Sequence, residues 1–252
     1  MGRAMALAGL RAPGFWTRLG RHELRLLVGM AVSAGLILAF ALLAGEVIEG
    51  ETAAFDRAVL MALRVAGDPA MPLGPPWLHN AARDVTALGS ITVLSLITAV
   101  TVGFLLLQGK RGASLLVLLS VGGGMAISGL LKNQIGRERP DIVPHGDIVF
   151  TASFPSGHSL LSAVVFLTLG AMLARFVEGR RQKAYVLVVA MAVTLLVGCS
   201  RVYLGVHWPT DVLAGWCVGA GWATLCWLVA LWLQRRGAVE PEDEAGTVPD
   251  RT

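Results

Sequence analysis

Six apolar stretches, separated by short polar segments, run along the chain: Leu24–Ala44, Ala87–Leu107, Gly112–Leu131, Ser156–Ala174, Ala184–Cys199 and Val212–Leu233. Most approach the ~20 residues that a helix needs to cross a bilayer core. The fifth is short and reaches that length only by extending toward Tyr203. In hydrocarbon every backbone polar group must be bonded within the segment, which a helix achieves. The pattern predicts an all-α, polytopic membrane protein, a bundle of six transmembrane helices. The first stretch is too long for a signal-peptide core and lacks a convincing cleavage site, so it reads as an uncleaved span. The longest connection, residues 45–86, contains Phe55–Arg64, whose weak helical periodicity suits a short helix lying on the outer surface. Gly67–Pro76, rich in proline and glycine, excludes regular helix. Residues 1–239 read as one domain, and the acidic stretch 240–252 as a disordered cytoplasmic tail. Gly215 and Gly219, and the run Gly122–Gly124, suit close helix packing.

Composition agrees with this picture. Of 252 residues, 55% are hydrophobic and 15% charged, against about a quarter charged in a soluble domain. The net charge of +4 does not imply nucleic acid, because the basic residues stand at the ends of apolar stretches. Arg3, Arg11, Arg18, Arg21 and Arg25 precede the first span. Lys110 and Arg111 join spans two and three; Arg175, Arg180, Arg181 and Lys183 join four and five; Arg235 and Arg236 follow the sixth. All fall on one side, which the positive-inside rule makes cytoplasmic, together with both termini. The three cysteines, Cys199, Cys217 and Cys226, lie in apolar stretches with no metal-ligand spacing. No metal, cofactor, nucleic acid or required protein partner is expected.

Polar residues break the apolar pattern at three places: Lys132–Pro140 (KNQIGRERP), Phe154–His158 (FPSGH) and Ser200–Asp211 (SRVYLGVHWPTD). Span four crosses the bilayer and span five returns, so all three segments reach the same, outer face. Lys132, Arg139 and Arg201 can therefore converge there with His158, His207 and Asp211. Cations gathered near a membrane repel one another unless an anion sits among them. The guanidinium fork and the compact ammonium together suit phosphate. Ser156 is placed to cap span four, leaving the backbone N–H groups of Gly157 and His158 at a helix N-terminus, where anions bind. His207 and Asp211 are four apart, and with Pro209 near the first helical position both can face one way. Asp211 would then accept the proton of one imidazole nitrogen and leave the other free as a nucleophile. His158 is placed to protonate a leaving oxygen.

The set Lys132-x6-Arg139-Pro140, Pro155-Ser156-Gly157-His158 and Ser200-Arg201-x5-His207-x3-Asp211 resembles the three-part signature of the type 2 phosphatidic acid phosphatase superfamily. Spans three to six carry it, and the first ~80 residues match in general layout only, as a variable loop would. The resemblance implies that Lys132, Arg139 and Arg201 hold phosphate oxygens, assisted by Ser156 and the Gly157 amide. It implies that His207 attacks phosphorus, Asp211 orients it, and His158 protonates the leaving group. The implied activity is metal-independent hydrolysis of a lipid phosphate or pyrophosphate in a bacterial inner membrane. Undecaprenyl pyrophosphate, phosphatidylglycerol phosphate and phosphatidic acid are the leading substrates. Two rivals share the basic cluster: a transporter or anion-binding membrane protein, and a lipid phosphotransferase. A haloperoxidase is disfavoured by the six spans. Between the motif cations, Arg137 and Glu138 read as a local solvated pair, with a headgroup contact as the alternative. His145 and Asp147 read as loop residues without chemistry, with an influence on headgroup choice as the alternative, and Asp56 as structural.

Overall fold

A computed structural model describes residues 21–141 and 152–235. His145, Asp147 and the acidic tail lie outside the described residues. In chain order the elements are α1 (Arg21–Glu49), α2 (Ala53–Ala62), β1 (Arg64–Val65), β2 (Asp68–Pro72), α3 (Pro76–Ala87), α4 (Ile91–Leu107), α5 (Arg111–Ile135), α6 (Gly157–Leu173), α7 (Arg180–Tyr203) and α8 (Pro209–Arg235). All six apolar stretches are helical. The outer helix is present as α2, displaced two residues toward the N-terminus. The proline- and glycine-rich segment departs from the all-helical expectation: β1 and β2 pair there as a small antiparallel hairpin.

Four helices, α1, α5, α7 and α8, are long and apolar enough to cross a membrane. A fifth candidate is the pair α3 and α4, bent by 47° at its break. The break has a local cause: Ser90 caps α4, accepting a hydrogen bond from the Val93 N–H, so a new helix starts after α3 ends. α6, with 17 residues, is shorter. The expected six spans thus resolve into four long helices, one bent pair and one short apolar helix.

α6 lies at the centre, packed mainly on α8 and α7, with α5 and α4 also against it, while α1 lies along α8. Its Leu160, Leu161, Val164 and Val165 are buried and join Leu94, Val117, Val121 and Val218 in the main core. The outward side chains are also apolar, among them Val28, Leu38, Leu96, Leu119 and Leu196. Such a surface suits lipid.

Two glycines of α8, Gly215 and Gly219, let it approach α6. A Cβ on Gly219 would lie 2.4 Å from the Leu160 carbonyl oxygen, and one on Gly215 2.7 Å from that of Ser156. Gly123 likewise admits Trp222, whose indole N–H reaches the Ser120 carbonyl at 2.8 Å. These contacts bring the N-terminal ends of α6 and α8 together beside the C-terminal ends of α5 and α7, and that is where the polar residues gather.

Candidate active site

Each signature segment is shaped by its local backbone. α5 ends one turn after Lys132, where Gly136 adopts the left-handed conformation (φ 58°) and donates its N–H to the Lys132 carbonyl. The chain reverses there, so Arg137 and Arg139 turn back over the bundle end. Ser156 caps α6 as expected, accepting from the Ser159 N–H at 3.4 Å. α8 begins at Pro209, which makes Asp211 the third helical residue. The Asp211 carboxylate reaches back to the Trp208 N–H at 2.9 Å, the acidic half of a capping box. A negative charge in the first turn is also favoured by the helix dipole.

The structure brings the dyad together. His207 and Asp211 are buried, 1% and 0% exposed, with His207 Nδ1 3.3 Å from Asp211 Oδ2. On the other side of the ring, Nε2 stands 3.3 Å from Arg139 Nη1. A guanidinium can only donate, so Nε2 is the unprotonated nitrogen and Nδ1 carries the proton that Asp211 receives. Burial pushes the His207 imidazole down to about 4, against the upward pull of Asp211, so the ring is neutral at ordinary pH.

Arg139 stands at this nitrogen, and Lys132 and Arg201 lie within electrostatic reach of Arg139. Arg139 also donates to the Val206 carbonyl at 2.9 Å. Its guanidinium is pulled below its ordinary value by burial and supported by Asp211. Lys132 Nζ donates to the Ala152 carbonyl at 2.8 Å, tying the first signature segment to the second. Arg201 donates through Nη1 to Thr86 Oγ1 at 3.1 Å, and its buried Nε has no hydrogen-bond partner in the structure. His158 lies within electrostatic reach of Arg201, His207, Lys132 and Arg139. A Cβ on Gly157 would meet only Lys132 Cε and Ser128 Oγ, both at 3.5 Å, so the protein leaves room at that amide. All eight expected site residues therefore belong to one cluster.

Five further residues shape the cluster. Ser153 donates a short hydrogen bond to Asp211 Oδ2 and sits 3.3 Å from His207 Nδ1. Thr86, on α3, holds Arg201, and a Cβ on Gly89, in the α3–α4 turn, would lie 2.4 Å from Val197 Cγ1 and 3.4 Å from the His158 side chain. None of these three has a sequence signal, because each lies outside the motif spacing. The other two are Arg137, which corrects the expectation of a solvated pair, and Asp56, whose structural role is specific. Arg137 is no solvated partner of Glu138: it bonds Asp211 Oδ1 at 2.7 Å and Asp56 Oδ2 at 2.6 Å. Asp56 is 0% exposed. Glu138 contributes its carbonyl to the Trp208 indole N–H at 3.1 Å. A cavity of about 460 Å³ lies at the opposite end of the bundle, among Leu105, Val117, Met172 and Trp227, and includes no residue of the cluster.

A membrane-embedded helical protein with a buried His–Asp pair facing three cations matches known proteins. The family model described as "PAP2 superfamily" matches residues 113–235. Phosphatidylglycerophosphatase B of Bacillus subtilis (strain 168) is 34% identical over 188 residues, covering 73% of this chain and 87% of the relative. The chain is an integral membrane protein and belongs to the PAP2 superfamily. An undecaprenyl-diphosphatase of Sulfolobus acidocaldarius is 41% identical over 68 residues, 27% of this chain and 29% of the relative. The crystal structure of the first transmembrane PAP2 type phosphatidylglycerolphosphate phosphatase from Bacillus subtilis superposes with a TM-score of 0.73 at 30% identity. It covers 81% of this chain and 98% of that one.

Proposed function

We propose that this protein is a lipid phosphatase that hydrolyses a lipid phosphate or pyrophosphate through a phosphohistidine on His207. The observation that carries the reading is the orientation of His207: Nδ1 on Asp211, Nε2 bare of hydrogen and directed at Arg139 within the cationic cluster. A transporter or a simple anion site has no need of a nucleophile poised in this way. The relatives named as phosphatidylglycerophosphatase B and undecaprenyl-diphosphatase support a phosphate carried on a lipid. Of these, a phosphatidylglycerophosphate-type monoester is the first substrate to test.

In this mechanism Lys132, Arg139 and Arg201 bind the phosphoryl oxygens, with the Gly157 amide at the head of α6. Ser156 holds that helix end open through its cap. His207 Nε2 attacks phosphorus in line with the leaving oxygen, which His158 protonates. Asp211 holds the Nδ1 proton and stabilises the imidazolium that forms. His158, left neutral by the first step, then takes the proton of the water that attacks the phosphohistidine, and inorganic phosphate leaves with the ring free again. The cations stabilise the charge that builds in the transition state, so the reaction needs no divalent ion. The six apolar helices span a bacterial inner membrane as one domain over residues 1–239. Both termini are cytoplasmic, the tail 240–252 among them, and the site opens on the extracytoplasmic side. The lipid tail stays in the bilayer while its headgroup enters between helix ends.

The test is phosphate release from short-chain phosphatidylglycerophosphate by purified protein with a chelator present. Release should persist, vanadate should inhibit it, and rapid quenching should trap an acid-labile, base-stable phosphoenzyme that is missing in His207→Ala. Full activity in His207→Ala, or a strict need for a divalent ion, would remove the mechanism. Phosphate passed to an acceptor other than water would favour the phosphotransferase.

A further inference from the structure

Arg137 sits where neither phosphate binding nor proton transfer requires a cation. Its Nη1 donates to Asp211 Oδ1 at 2.7 Å and Thr210 Oγ1 at 2.8 Å, and its Nη2 to Asp56 Oδ2 at 2.6 Å. The guanidinium lies 5.7 Å from the centre of the Trp208 ring, which covers one face. Asp56, on α2, in turn accepts from the Thr210 N–H at 2.9 Å through Oδ1 and from its hydroxyl at 2.6 Å through Oδ2. One carboxylate thus caps α8 from a different helix and clamps the arginine at the same time.

We propose that Arg137 and Asp56 are positioning residues for the dyad: Asp56 fixes Arg137, Arg137 occupies Asp211 Oδ1, and Asp211 is left to present only Oδ2 to His207. The inference rests on His207 being the nucleophile. Two buried carboxylates stand close together here, and Arg137 is bonded to both. Its rigid fork matches that task, and one ammonium could not hold both acids in the same geometry. Oδ2 is already shared by Ser153, the Trp208 N–H and His207. Without Arg137 the carboxylate is held only through Oδ2 and can turn about those contacts, and the His207 ring loses its fixed bearing on the phosphorus. Misplacement of a reacting group by about 1 Å can lower a rate about 100-fold. The arrangement also ties α2, the outer helix, to the reacting residues, which lie in a different part of the chain.

The experiment measures kcat and KM for short-chain phosphatidylglycerophosphate with the full-length protein in detergent micelles. Arg137→Gln should lower kcat about 100-fold and leave KM within about threefold, because the phosphate-binding cations are untouched. Arg137→Lys and Asp56→Asn should fall in between. The decisive measurement is the double variant Arg137→Gln/Asp211→Asn. If Arg137 acts through Asp211, its kcat equals that of Asp211→Asn alone. Losses that multiply, or an Arg137→Gln enzyme with undiminished kcat, would overturn the inference. Should Arg137→Gln not fold, Arg137→Lys carries the same cycle. His207→Ala is assayed alongside. Turnover by that variant would defeat the nucleophile reading itself, whereas an inactive His207→Ala with multiplying losses would defeat only the role of Arg137.

Discussion

Burial favours the neutral form of His207, and the proposed mechanism depends on that neutrality. Protonation would remove the lone pair assigned to the attack on phosphorus, and burial holds the imidazole at about 4, below its ordinary 6.5. The acid limb that His207 imposes on kcat/KM, which reports the free enzyme, should therefore lie well below 6.5. A pH–rate profile in micelles checks this, with the His207 ring followed by NMR; a ring midpoint at 6.5 would contradict it. The linkage has the same origin. An imidazole that resists protonation when folded adds no instability above pH 6.5 but costs stability as pH falls from 6.5 toward 4, where the unfolded chain takes up the proton first. The cations give a second expectation. Arg139→Ala and Arg201→Ala each remove a charge-assisted contact of about 1.5–3 kcal/mol. Vanadate should then bind about 10- to 150-fold more weakly, as an inhibition titration would read.

At the scale of elements, the α6–α8 contact decides whether the dyad meets the cap of α6. The Ser156 N–H donates to the Asp211 carbonyl at 2.9 Å, a backbone bond directly between the two helix starts. It can form only because Gly215 and Gly219 have no side chains. Gly219→Ala would push a methyl group into the Leu160 carbonyl, 2.4 Å away. Overpacking of this kind costs about 1–3 kcal/mol, so the thermal midpoint should fall and activity with it. Gly122→Ala is the control: a Cβ there meets nothing within 4 Å, and the midpoint should hold or rise.

The whole molecule has a polar cluster at one end and basic loops at the other. Lys110 and Arg175 flank the end opposite His207, with Lys110 5.0 Å from the centre of the Phe176 ring. With the three native cysteines replaced, a cysteine at Asp141 should react with an impermeant thiol reagent from outside intact cells, and one at Glu178 should not. Labelling at position 178 alone would reverse the proposed orientation.

Much of this was legible in the sequence for local reasons. A run of apolar residues about 20 long has few fates other than a membrane helix, and helices cover these six runs, the second broken at Leu88–Ser90. Ser156, Pro209 and Asp211 took the cap and first-turn positions their chemistry favours, because such preferences act within a few residues. The parity of the spans was enough to gather Lys132, Arg139, His158, Arg201, His207 and Asp211. Only the tertiary structure placed Asp56 against Arg137, residues 81 positions apart, and Thr86 against Arg201, 115 apart. A buried carboxylate on a short helix and an arginine in a polar loop look the same in sequence as exposed ones. What separates them is the removal of water around both, and that follows from how the helices pack.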